Sequence, residues 1–281
     1  MALRGKKPKS HPPRLKALMF GPAGVGKTTA AIQMPSPYVI DTEDGCAHYG
    51  DIIESSGGAV FESNDIEEVI EEVRSLTVEQ HSYRTVVIDS FTPLYDNAVD
   101  IGEKLFGNEW GKHIGHANKR CKALYGLLSQ LDMNVIITAH AKNEYGDNNK
   151  VIGQTFDGWK KMDYLFDLVF ALDRDPKNRS RRRATVRKTR LTEQFPDGDI
   201  FTWSIEELSK RYGEDKLNRE ATQVELAEGS LILTFVHTYN QLSEQEIKRL
   251  RLGKIDLQGL AYLPAERVKA GLDMMLQHLG K

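Results

Sequence analysis

The run GPAGVGKT at positions 21–28, called the phosphate loop below, has the clearest chemical potential in this chain. Its spacing fits G-x-x-x-x-G-K-S/T, the Walker A pattern, in which glycines let the backbone wrap closely around a phosphate. An apolar run at 15–20 precedes it and a predicted helix at 28–34 follows, which is the context that the motif requires. We predict that Lys27 reaches the β- and γ-phosphates of a nucleotide and that Thr28 holds Mg²⁺. The predicted nucleotide contacts are Gly21, Pro22, Ala23, Gly24, Val25, Gly26, Lys27, Thr28 and Thr29, with His140 from a later strand.

A magnesium site of this kind needs a second group, and Asp89 is suitably placed. It ends the apolar run Thr85–Asp89, so its carboxylate is expected at the carboxyl end of a buried strand, beside the phosphate loop. This fits the Walker B pattern. The competing interpretation is an aspartate that only caps the next loop.

Hydrolysis of a nucleotide γ-phosphate also needs a group that orients or deprotonates water. Glu43 follows the predicted strand at 38–41 directly and is our candidate for that role, with Asp41 and Asp44 as competitors. The strand at 134–139 brings Thr138 and then His140 to the same edge. His140 could sense the γ-phosphate, although a lone histidine at a strand end is often purely structural.

Alternating strands and amphipathic helices must position these groups. Short runs rich in Val, Ile and Leu predict strands at 15–20, 38–41, 85–89, 134–139 and 165–172. Such alternation is typical of an α/β fold with a mostly parallel central sheet. A turn at 196–198 separates predicted strands at 182–191 and 200–205, which would extend the sheet as an antiparallel edge. A capping box of Asn64 and Glu67 is expected to begin a helix.

The remaining chain divides into a tail and an appendage. Residues 1–14 are expected to be a basic flexible tail, 15–212 an ATPase core, and 213–281 a small C-terminal α/β appendage of unknown role. In that appendage we predict a strand at 230–238, a capping box of Ser243 and Glu246, and a last helix after Pro264.

The composition is that of a soluble globular protein with a formal net charge of −2. No apolar run reaches the length of a membrane span, and the two cysteines have no metal-ligand spacing, which suits the cytoplasm. Local charge is uneven, because residues 174–190 hold nine Lys or Arg and one Asp, as a nucleic-acid contact would. Trp110 could stack on bases or pack against the protein body. The predicted DNA contacts are Trp110, Lys142, Lys177, Arg179, Arg181, Arg182 and Arg183, and the polar segment 141–158 is expected to be a mobile loop.

Five runs, GPAGVGKTT, VIDTEDG, TVVIDS, VIITAH and ATVRKTR, resemble in their order the ATPase motifs of RecA-type recombinases, especially short phage-encoded single-strand-annealing ATPases. The resemblance covers about 15–205 and implies a RecA-like core with ATP and Mg²⁺ at Lys27, Thr28 and Asp89. It implies that Glu43 is the catalytic carboxylate and that His140 replaces a glutamine that couples nucleotide to DNA. Lys188 and Arg190 fall where the family reaches across to the ATP of a neighbouring subunit.

The resemblance implies single-stranded DNA as partner, a homo-oligomer that is a filament or ring, and the cytoplasm of a bacterial host. A single-strand-binding protein is a further candidate partner. Three other functions stay open at this point. They are a DNA motor (helicase or packaging ATPase), a small-molecule kinase with the Arg-rich hairpin as a lid, and a nucleotide-gated scaffold.

Overall fold

A nine-stranded sheet forms the centre of the protein in the computed structural model, which describes residues 14–79, 81–221, 229–250, 252, 260 and 263–280. Its strands are β1 (Lys16–Gly21), β2 (Pro37–Asp41), β3 (Ala59–Glu62), β4 (Thr85–Asp89), β5 (Asn134–Tyr145), β6 (Val151–Phe156), β7 (Leu168–Arg174), β8 (Arg182–Thr189) and β9 (Ile200–Thr202).

The strand order is β3-β2-β4-β5-β1-β7-β8-β9, with β6 paired to β5. Strands β3 through β7 of this order run parallel, whereas β8 and β9 are antiparallel additions at one edge. The predicted α/β fold, with a mostly parallel sheet and an antiparallel edge, is confirmed. Because parallel strands end at the same side, β1, β2, β4 and β5 deliver their carboxyl ends to one edge.

Helices cover both faces of this sheet. Their bounds are α1 (Lys27–Ala31), α2 (Gly50–Ser55), α3 (Ile66–Val78), α4 (Phe91–Phe106), α5 (Lys112–Gln130), α6 (Ile205–Tyr212), α7 (Glu214–Leu217), α8 (Gly229–Tyr239), α9 (Glu244–Arg249) and α10 (Ala265–Leu279). Residues of α3, α4 and α5 fill one core, and residues of α1, α6 and α7 pack into the core on the opposite face. The rigid sheet between the two cores is what holds the strand ends in place.

Three local predictions are wrong. The start of α3 is capped by Asp65, whose carboxylate accepts the N–H groups of Glu67 and Glu68, so Asn64 makes no capping box. The segment 141–158 is largely a hairpin, because β5 continues to Tyr145 and β6 pairs back onto it. The strand expected at 230–238 is the helix α8, whose Phe235 packs against α10.

Hydrogen bonds of Arg14 connect the start of the described core to its last residues. Arg14, which sequence analysis assigns to the flexible tail, is buried and donates to Asp132 at 2.8 Å and to the carbonyl of Arg219 at 2.7 Å. Residues 1–13 lie outside the described residues. The capping box of Ser243 and Glu246 is present at α9, and Pro264 is the N-cap of α10.

Among the helices described here, none combines the length and the apolarity needed to cross a membrane. Both cysteines are buried free thiols.

Candidate nucleotide site

The phosphate loop lies between β1 and α1 at the carboxyl edge of the sheet. Gly24 and Gly26 have φ of +71° and +95°, a region that favours glycine. Gly21 serves a different purpose, since a Cβ there would lie 2.5 Å from the carbonyl oxygen of Leu172. Gly21 therefore allows β1 to approach β7, and the two later glycines shape the loop itself.

Lys27 begins α1, and its ammonium folds back over the loop. It donates to the carbonyls of Gly21 at 3.1 Å and Pro22 at 3.3 Å. Burial lowers the pKa of Lys27, and the nearby carboxylates of Asp89 and Glu43 oppose that shift. The ammonium is thus held at the loop by weak neutral acceptors, which the charged oxygens of a phosphate would replace favourably.

Oxygen donors suited to Mg²⁺ meet beside the loop. The Asp89 carboxylate accepts hydrogen bonds from the hydroxyls of Thr28 and Thr138. Burial raises the pKa of this carboxyl, whereas these two hydrogen bonds lower it. Hydroxyl and carboxylate oxygens are the ligands that Mg²⁺ takes together with nucleotide phosphates. The donor set therefore fits the metal, with Thr28 and Asp89 as the residues that would hold it.

Glu43 lies in a small polar cluster with Ser90 and His140. Its carboxylate accepts the Ser90 hydroxyl at 2.7 Å and lies 3.1 Å from Nε2 of His140. The side chains of His140 and Glu43 are 43% and 40% exposed, so water can reach both. This arrangement can present a carboxylate to a water molecule at the loop. Sequence analysis missed Ser90, although its position directly after Asp89 was an available signal.

The two competing carboxylates occupy different positions. Asp41 is buried, and its carboxylate accepts the backbone N–H groups of Glu43, Gly45 and Cys46. Asp44 is exposed, with a positive φ of 56°. Asp41 therefore shapes the turn that presents Glu43, which stays the candidate for activating water.

Two arginines at the base of the β7–β8 hairpin lie against the phosphate loop. Arg174 donates to the carbonyl of Gly24 at 2.6 Å. Arg182, opposite Arg174 in the strand register, packs its guanidinium onto Gly26. Sequence analysis placed Arg182 with the DNA contacts and missed Arg174, although both residues lie in the basic segment 174–190.

The other predicted DNA contacts are spread over three elements. Lys177, Arg179 and Arg181 are exposed at the tip of the β7–β8 hairpin, and Arg183 is half-buried between β7 and β9. Trp110 is 94% exposed at the turn between α4 and α5, so the alternative that it packs against the protein body is wrong.

Lys142 lies on the β5–β6 hairpin, where its ammonium pairs with Asp157 at 2.9 Å.

Lys188 and Arg190 lie on the side of the sheet where the parallel strands begin, whereas the phosphate loop of the same chain lies on the side where those strands end. Lys188 donates to the carbonyls of Asp163 and Phe166, and burial lowers its pKa. Arg190 pairs with Asp167 at 3.0 Å. Because β8 is antiparallel, its start reaches the phosphate loop and its end carries these two cations away from it.

Two comparisons relate the chain to known proteins. The family model for an AAA domain matches residues 14–199, which contain the phosphate loop, Glu43, Asp89 and His140. A crystal structure of the RadB recombinase is similar at 20% identity over 76% of this chain and 92% of that chain, with a TM-score of 0.47. No curated protein matches the chain. The chain belongs to the AAA domain family and is a P-loop NTPase.

Proposed function

We propose that the protein is an ATP-dependent single-stranded DNA-binding protein of homologous recombination, with hydrolysis at the contact between neighbouring copies. The observation that carries the proposal is a bridge made by Arg174. Its guanidinium donates to Gly24 in the phosphate loop at 2.6 Å and to the carbonyl of Arg179 in the hairpin tip at 3.2 Å. A change at the nucleotide can therefore move the cationic tip of the β7–β8 hairpin.

In this proposal Lys27 binds the phosphates, and Thr28 and Asp89 hold Mg²⁺, which neutralises charge on them. Glu43 orients or deprotonates the attacking water. Ser90 and His140 fix the Glu43 carboxylate before the water arrives. His140 is in β5, which runs on into the β5–β6 hairpin, so it gives the site a second connection to an exposed element.

The DNA contact combines charge with stacking. Lys177, Arg179 and Arg181 lie exposed along one turn, and their charges would replace the counterions of a phosphate backbone. Trp110 presents an exposed ring on which a base can stack, a contact worth about 1–3 kcal/mol. Stacking needs unpaired bases, which favours a single strand over a duplex.

The positions of Lys188 and Arg190 support a head-to-tail assembly. They lie at the edge opposite the phosphate loop, so contact with ATP requires the loop of another copy. A heterologous contact of this kind generates a ring or a helical filament.

The experiment that tests the proposal measures binding of a fluorescent oligonucleotide as a function of salt. Changing Lys177, Arg179 and Arg181 together to Ala should weaken binding and reduce the salt slope by about 2, at roughly 0.7 per phosphate contact on a single strand. The matched control removes three exposed lysines elsewhere, Lys119, Lys210 and Lys248, and should leave the slope within about 0.5 of the wild type. Equal slopes for both variants would refute the DNA assignment.

ATP turnover with and without single-stranded DNA separates this function from its rivals. Stimulation by DNA supports the proposal, and stimulation accompanied by duplex unwinding indicates a motor. Turnover that ignores DNA but consumes a small acceptor indicates a kinase, with the β7–β8 hairpin as its lid.

A further inference from the structure

The guanidinium of Arg182 occupies the space directly over Gly26, the residue before Lys27. A Cβ built on Gly26 would lie 2.2 Å from Nε of Arg182 and 2.9 Å from Nη2. Close approach to the glycines is what a Walker A loop offers to a phosphate. Arg182 therefore lies against the last glycine of the loop, next to Lys27, whereas the tip of the β7–β8 hairpin is a separate surface.

The two base arginines face each other without an acid between them. Arg174 and Arg182 are paired across β7 and β8, and within the described part of the chain neither guanidinium has a carboxylate partner. Burial lowers the pKa of Arg182, and repulsion from Arg174 lowers it further. Two like charges held together beside the loop are unfavourable in isolation and become favourable when a polyanion lies between them.

Arg182 also keeps a donor unused. Its Nε atom is buried and has no hydrogen-bond partner among the described residues. A buried donor without an acceptor is unfavourable, and a bound oxyanion would remove that penalty. The carbonyl of Gly24, which Arg174 now contacts, is a weaker acceptor than a phosphate oxygen.

We propose that Arg182, with Arg174 beside it, binds the phosphates of the nucleotide held by its own chain. This inference rests on the nucleotide site of the proposed function and deepens it. It assigns the two arginines of the hairpin base to the nucleotide, while the tip residues Lys177, Arg179 and Arg181 contact DNA. The same element then touches both ligands. Nucleotide binding would replace the Arg174 bond to Gly24 and so loosen or reorient the hairpin.

The test measures affinity for a fluorescent non-hydrolysable ATP analogue in the absence of DNA. Arg182→Ala should bind the analogue at least about tenfold more weakly, because a charge-assisted hydrogen bond is lost. The affinity of Arg182→Lys should lie between those of the wild type and Arg182→Ala, since lysine keeps the charge but lacks the planar guanidinium. Arg187→Ala removes the same charge from an exposed position farther along β8 and should change affinity less than twofold. Circular dichroism and the melting temperature verify that each variant is folded.

Unchanged or tighter nucleotide binding by folded Arg182→Ala would overturn the inference. If that variant instead loses affinity for single-stranded DNA alone, Arg182 is a DNA contact. Lys27→Ala in the same assay tests whether the phosphate loop binds the nucleotide at all. If it binds the analogue normally, the phosphate loop itself is not the nucleotide site, and both this inference and the proposed function fail.

Discussion

At the scale of single residues, the hydrogen-bond partners of each carboxylate distinguish the roles of the acids in the site. Asp41 accepts three backbone N–H groups, Asp89 accepts two hydroxyls, and Glu43 is held by the Ser90 hydroxyl and lies beside Nε2 of the half-exposed His140. A carboxylate that shapes a turn or holds a metal is not available to move a proton. Of these three acids, Glu43 is therefore the one that we propose to act on water.

Changing Glu43 to Gln should leave nucleotide binding intact and slow hydrolysis about 10²–10⁴-fold, the usual contribution of a general base. Single-turnover hydrolysis of labelled ATP measures the effect, with analogue affinity measured in parallel. Asp44→Asn is the matched control, because asparagine tolerates the positive φ at that exposed position. Hydrolysis by Glu43→Gln at the wild-type rate would move the role to another group.

At the scale of elements, the β7–β8 hairpin is anchored by an aromatic cluster at its foot. Phe170 in β7 is fully buried, with ring centroids 5.7 Å from Phe195, 5.8 Å from Phe201 and 5.5 Å from Trp203. The guanidinium of Arg211 covers Phe201 at 4.3 Å. This cluster fixes the register that places Arg174 and Arg182 at the phosphate loop.

Phe170→Ala should lower the free energy of unfolding by about 3–5 kcal/mol, as for other large buried aromatics. Urea denaturation followed by circular dichroism gives the value. Tyr145→Ala removes an aromatic ring that is 60% exposed on the β5–β6 hairpin and should change stability by less than about 0.5 kcal/mol. Similar losses in the two variants would mean that the cluster does not anchor the sheet edge.

Sequence reasoning predicted the parts of this site that are local. The phosphate loop, Asp89 and Glu43 each lie at or just after the carboxyl end of a strand, so motif and strand pattern together placed them on one side of the sheet. It missed Arg174 because the contact with Gly24 depends on strand register, which joins residues 150 positions apart. It also misassigned α8, because a short apolar run has no periodicity that separates a strand from a helix.

At the scale of the whole molecule, the two edges of the sheet carry complementary features. One edge holds the phosphate loop and its acids, and the other holds Lys188 and Arg190, which contact the segment between Asp163 and Asp167. Copies stacked head to tail would bring these cations to the nucleotide of a neighbour, and hydrolysis would then depend on assembly.

Mixing two inactive variants tests this dependence. The Arg190→Ala variant keeps Glu43, and the Glu43→Gln variant keeps Arg190. At a contact between the two variants, the intact Glu43 of one copy can therefore meet the intact Arg190 of the other. We expect hydrolysis to recover to about a quarter of the wild-type rate at an equal ratio, as random pairing of neighbours would give. Titrating one variant against the other at constant total protein measures this. Absence of recovery at every ratio would place Arg190 outside the neighbour's site.

We propose that nucleotide at the phosphate loop controls single-stranded DNA binding through the β7–β8 hairpin. The most direct measurement is the DNA dissociation constant with and without a non-hydrolysable ATP analogue, for the wild type and for Lys27→Ala. We predict binding about 5–150-fold tighter with the analogue in the wild type, the usual range of coupling between two sites, and no change in Lys27→Ala. Equal dissociation constants with and without the analogue in the wild type would contradict the claim.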